Sequence, residues 1–123
     1  MSLVVVQTET ANVGSVVNML RRLGGDPVVS GDPSTIASAG KLLLPGVGAF
    51  DAGMASLQGS GLVEAVRLRV REGVPILGIC LGMQLLFDSS DEGTATGLGL
   101  IPGVVRRLPV DSPVGPVRIP HMG

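Results

Sequence analysis

The chain is expected to be an α/β domain, a parallel sheet with helices on both faces. Three observations carry that expectation. Aliphatic runs of strand length alternate with segments whose apolar residues recur at helical spacing. The connections between them are short, as in βαβ units. And one stretch, Val74-Pro75-Ile76-Leu77-Gly78-Ile79-Cys80-Leu81-Gly82-Met83-Gln84-Leu85-Leu86-Phe87, passes directly from an apolar run to helical spacing through a G-x-C-x-G.

Taken in order, Leu3 to Val6 is an aliphatic run typical of a strand buried on both faces. Asn12 is a good N-cap for a helix in which Val13, Val16, Val17, Leu20 and Leu23 share a face. Arg21 and Arg22 near its end and Gly24-Gly25 after it mark the stop. Asp26 to Ser30 reads as a second strand, and Gly31 to Ser34 as a turn into a weak helical piece ending near Ala39. Lys41 to Leu44 is a third strand, closed by Pro45-Gly46-Val47-Gly48. From Phe50 to about Arg71 the pattern is helical, broken at Gly59-Ser60-Gly61. Val63, Val66 and Val70 are its apolar stripe, while Arg67, Arg69, Arg71 and Glu72 read as solvated. The strand from Val74 is expected at the centre of the sheet. Asp88 to Thr96 is polar loop, Gly97 to Gly103 is apolar but rich in breakers, and Val104 to Leu108 and Val114 to Ile119 read as short strands.

Composition narrows the function classes. The chain has 123 residues, which suits one domain spanning 1–123. Nine Lys and Arg against ten Asp and Glu give a net charge of −1, so no basic surface points to nucleic acid. The single Cys excludes an internal disulfide and a Cys-rich zinc site, and fits a reducing, cytoplasmic setting. No apolar run approaches the ~20 residues of a membrane span, and the first residues lack the basic flank of a signal peptide. Neither a metal nor a cofactor is implied. A hydrophobic content of 45% with only Phe50 and Phe87 as aromatics, and a mean hydropathy of +0.50, describe an aliphatic chain with more apolar surface than it can readily bury.

A lone cysteine is most often a buried apolar thiol. Here glycines bracket Cys80 where an apolar run meets a helix pattern, which is the nucleophile-elbow arrangement with sulfur in place of oxygen. A nucleophile on so tight a turn sits in strained backbone, and flanking glycines let neighbouring chain approach. The helix N-terminus favours a thiolate. In parallel sheets the active crevice lies beyond the carboxyl ends of the strands. Both Cys80 and the Pro45–Gly48 turn fall at such ends and can meet there. Taken alone, that turn is an ordinary strand ending. Beside an elbow, the backbone N–H groups of Val47 and Leu81 are candidate oxyanion donors.

Four stretches resemble the class I glutamine amidotransferases, and within them a glutaminase subunit of histidine biosynthesis. They are Leu44-Pro45-Gly46-Val47-Gly48-Ala49-Phe50, Gly78 to Phe87, Gly97-Leu98-Gly99-Leu100-Ile101-Pro102-Gly103, and Pro120-His121-Met122-Gly123. The resemblance implies a flavodoxin-like fold in which Cys80 attacks the side-chain amide of glutamine. It implies Val47 and Leu81 as oxyanion donors, Gly48 and Gln84 against the substrate, and His121 and Met122 near a synthase (cyclase) partner that receives the ammonia.

Members of that family are longer, and a His-x-Glu pair downstream of the H-M-G stretch completes their triad. Neither residue lies within these 123 residues, whose one histidine, His121, matches the H-M-G position. The chain is therefore expected to be the first part of such a domain, truncated on its C-terminal side, with little or no turnover. The sheet edge and apolar face left open are expected to make it self-associate. Gln7-Thr8-Glu9 also stands where the family usually carries a D-Y-G-like turn. Glu9 and Glu92 read as solvated surface groups. Two other readings fit the same residues: a non-catalytic interaction module that keeps the fold, and a different cysteine hydrolase of similar topology.

Overall fold

The computed structural model describes residues 2–9, 11–106, 108, 111–112 and 115–116. Four parallel strands form the main sheet: β1 (Leu3–Val6), β2 (Val28–Ser30), β3 (Lys41–Gly46) and β4 (Ile76–Cys80), in the order β2-β1-β3-β4. The connections are helical: α1 (Val13–Arg22), α2 (Pro33–Ala37), α3 (Phe50–Gly59) and α4 (Leu62–Arg71), with α5 (Leu81–Leu85) following β4 directly. Four two-residue strands follow among the described residues: β5 (Ser89–Ser90) pairs with β6 (Val104–Val105), and β7 (Asp111–Ser112) pairs with β8 (Gly115–Pro116).

Strand alternation divides the core between two faces. Val4, Val6, Leu42 and Leu44 point to one side and form a single apolar cluster with Ile36, Met54, Leu57, Leu62, Val66, Leu81 and Leu85 from the helices. Val5 and Leu43 are register partners on the other face. With Val17 of α1 they are the buried apolar residues outside that cluster. The α3–α4 break falls where Gly59-Ser60-Gly61 predicts it. Gly61 caps α4 with φ +73°, a left-handed conformation that a side chain resists.

Several expectations are corrected. β3 runs on through Pro45 to Gly46, because all but the last residue of the Pro45–Val47 stretch pairs with β4. β4 lies at the edge of the sheet among the described residues, pairing with β3 on one side. Leu77, register partner of the buried Leu43, is 59% exposed. An aliphatic run shows that a strand can be buried, but the crossovers decide its place in the sheet. Leu23 is exposed as well, since α1 ends at Arg22 and Leu23 is its C-cap, past the last residue of the helical stripe. Asn12 occupies the N-cap position of α1 without a side-chain cap bond.

Arg67 and Arg69 are not simply solvated. Arg67 donates from Nε to the Leu98 carbonyl (2.8 Å) and from Nη2 to the Gly97 carbonyl (3.0 Å). Arg69 donates from Nε to the Ala39 carbonyl (2.8 Å). The strand expected over Val104 to Leu108 covers Val104–Val105 within the described residues. Most of Val114 to Ile119 lies outside them, apart from Gly115–Pro116, which pairs with Asp111–Ser112. No described helix is long and apolar enough to cross a membrane.

Candidate active site

β4 ends and α5 begins at Cys80, with no intervening loop. The residue has φ 55° and ψ −122°, and it is the one non-glycine residue with positive φ among those described. Such a conformation costs on the order of 1–3 kcal/mol and persists where surrounding packing enforces it. The two glycines of the G-x-C-x-G supply that enforcement. A β-carbon on Gly78 would lie 2.6 Å from the α-carbon of Met83 and 2.7 Å from its nitrogen. One on Gly82 would collide with the Leu44 carbonyl. The chain therefore folds back on itself and on β3 at contact distance, and the sulfur of Cys80 is left exposed.

Gly46 is the register partner of Cys80. The next residue on each chain leaves the ladder, Val47 from β3 and Leu81 into α5. Val47 presents its side chain to solvent, and Gly48 follows with φ +103°. Leu81 is buried against Gly46 and Gly53, where its side chain approaches within 3.1 Å of the position a Gly53 β-carbon would take. Gln84, half-buried on α5, lies four residues after Cys80 and so on the same side of the helical turn. Cys80, Val47, Gly48, Leu81 and Gln84 thus collect at one end of the β3–β4 pair. His121 and Met122 lie outside the described residues. Among those described, no side chain is hydrogen-bonded or ion-paired to the Cys80 sulfur.

One charged residue near this end escaped the sequence reading. Asp51, in the first turn of α3, accepts hydrogen bonds from the backbone N–H groups of Thr94 (2.9 Å) and Ala95 (2.9 Å) and from the Thr94 hydroxyl (3.3 Å). The Thr94 N–H, then that of Ala95, holds its carboxyl below the usual aspartate range, against a smaller opposing effect of desolvation. The signal was an acidic residue opening a helix just after the Pro45–Gly48 turn. Glu9 and Glu92 are both exposed. No described group of three His, Cys, Asp or Glu side chains could hold a metal ion. A cleft of about 810 Å³ lies past the carboxyl ends of β1 and β2, lined by Gln7, Thr8, Glu9 and Gly31 and by Ala52, Ala55 and Ser56 of α3, and Cys80 does not line it.

The fold and the site define a class: an α/β protein with a cysteine displayed on a strained strand-to-helix elbow. More narrowly, the chain belongs to the family Glutamine amidotransferase class-I, whose model matches residues 5–119. It is similar to the HisH subunit of imidazole glycerol phosphate synthase from Moorella thermoacetica, with 50% identity over 91% of this chain and 51% of that protein. The HisH subunit from Synechocystis is 44% identical over 97% of this chain and 55% of the relative. A solved structure described as a crystal structure of glutamine amidotransferase superposes with a TM-score of 0.73 at 21% identity, covering 87% of this chain and 57% of that one. The last comparison bears on the fold. The chain spans about half the length of the curated relatives it matches.

Proposed function

We propose that the chain carries the glutamine-binding and nucleophile-bearing part of a cytoplasmic glutaminase that supplies ammonia to a synthase subunit in histidine biosynthesis. The observation that carries this reading is the backbone of Cys80, strained and exposed beside Gly46, in a chain whose relatives are HisH subunits. The Cys80 sulfur attacks the side-chain carbonyl carbon of glutamine. A carbon–sulfur bond forms, the carbon–nitrogen bond breaks, and the thiol proton leaves with the nitrogen as ammonia. Water then cleaves the γ-glutamyl thioester to glutamate and restores the thiol. The N–H groups of Val47 and Leu81 meet the developing oxyanion, while Gly48 and Gln84 border the substrate. His121 and Met122 face the synthase partner.

The proton transfers need a general acid–base, a contribution of ~100–10,000-fold. The 123 residues alone are expected to bind glutamine at Cys80 with ammonia release near background. The deciding experiment is labelling by a glutamine-shaped chloroketone, L-2-amino-5-chloro-4-oxopentanoate. Modification should fall on Cys80 and be slowed by L-glutamine. Labelling indifferent to L-glutamine would overturn the reading.

A second reading, a non-catalytic interaction module on the same fold, draws on the Cys80 sulfur having no hydrogen bond or ion pair to a side chain among the described residues. Chloroketone labelling of Cys80 that L-glutamine slows would exclude it. In either case the β4 edge, unpaired among the described residues, with Leu77 exposed beside it, supports self-association.

A further inference from the structure

We infer that Asp51 is a positioning residue for glutamine recognition, acting through the 93–95 loop that its carboxylate holds against the first turn of α3, just after the Val47–Gly48 turn. The inference rests on the glutaminase reading above. The first turn of α3 follows the Val47–Gly48 turn, and α5 follows Cys80. Both helix N-termini lie at the carboxyl end of the sheet. The loop is tied to both units: by chain connectivity to α5, and by Asp51 to α3. Gly93 packs so closely on the Asp51 carboxylate that a β-carbon there would collide with it.

The far end of the loop is fixed without Asp51. Gly97 donates to the Asp88 carbonyl (2.7 Å) and Leu98 to that of Leu85 (2.8 Å), while Arg67 grips the carbonyls of Gly97 and Leu98. The near end is pinned by Asp91, whose N–H donates to the Val105 carbonyl (2.9 Å). The elbow is held by Gly78 and Gly82 against Met83 and Leu44, whereas the Asp51 carboxylate is hydrogen-bonded to Thr94 and Ala95. Removing the carboxylate should therefore release residues 93–95 and leave the geometry of Cys80 in place. That separation makes the role testable.

The experiment measures Cys80 modification by two chloroketones: the glutamine-shaped reagent and chloroacetone, which carries the same electrophile without the amino-acid end. In the native chain the ratio of the two rates reports glutamine recognition. Asp51→Ala should lower that ratio by about tenfold or more, as misplacing one wall of a site does, with the chloroacetone rate unchanged. Asp51→Asn retains one acceptor oxygen and should fall between. It also serves if the alanine variant fails to fold. An unchanged ratio in both variants, or an equal fall with both reagents, would overturn the inference. Absence of preference or of L-glutamine protection in the native chain would instead overturn the glutaminase reading, and it would be seen before any substitution is made.

Discussion

Gly82 lies against the carbonyl of Leu44, with no room for a β-carbon between them. That contact joins the first turn of α5 to β3, and it holds the strained backbone of Cys80 between them. Gly82→Ala must push α5 off the sheet or break the elbow. Its cost should reach about 3 kcal/mol or more, at the upper end for single substitutions, read as a shift in the urea midpoint. Gly59→Ala is the internal comparison. Nothing lies within 4 Å of the β-carbon it adds at the end of α3. It should be neutral or stabilising by up to ~1 kcal/mol, from helix propensity.

Arg67 makes a different kind of tie. Its guanidinium spans two successive carbonyls, those of Gly97 and Leu98, and binds the breaker-rich segment to α4. Arg67→Ala leaves both acceptors without that donor and should cost on the order of 1–3 kcal/mol. Arg67→Lys should recover little, since an ammonium cannot reproduce the planar fork. Glu64→Ala removes only the salt bridge at 3.3 Å, whose carboxylate side chain is 81% exposed. It should change thermal stability by less than ~1 kcal/mol.

The Asp51 clamp should be sensitive to acid. Its carboxyl is held below its ordinary value in the folded chain by N–H groups that bind the ionised form. The stabilisation is therefore fully present above the unfolded carboxyl value, near pH 4, and is lost as pH falls through the folded value. Melting temperatures of the native chain and Asp51→Asn should differ by a constant amount from pH 7 down to about 5 and converge below about 4. A difference that is constant or grows on acidification would contradict the clamp.

The parts of the fold that depend on local chemistry could be read from the residues. Gly78 and Gly82 mark the elbow because only glycine tolerates those approaches, and Gly61 marks the helix break because of its positive φ. Other features depend on residues brought together from afar. Nothing in the spacing of α4 says that Arg67 and Arg69 will reach carbonyls 31 and 30 residues away. Asp51 meets its loop across 43 and 44 residues. A long cationic side chain buries its stem and finds an acceptor wherever the fold supplies one, and this is invisible in a pattern of apolar positions. The edge position of β4 has the same origin, since pairing order is a property of the crossovers.

Leu77 shows what that edge position implies. Its register partner Leu43 is buried, and Leu43 pairs in turn with the buried Val5, so the same face passes from covered to open within one strand. The β4 edge beside it presents unpaired backbone groups among the described residues. Exposed apolar surface next to a free strand edge favours association between chains. Light scattering at micromolar concentration should show a dimer or larger species for the 123-residue chain. Leu77→Lys should shift it toward monomer, because a charge on a free edge opposes pairing. The same substitution should leave the melting temperature nearly unchanged, since the side chain is already 59% exposed. A native chain that is monomeric under those conditions would show that the open face is tolerated in solution.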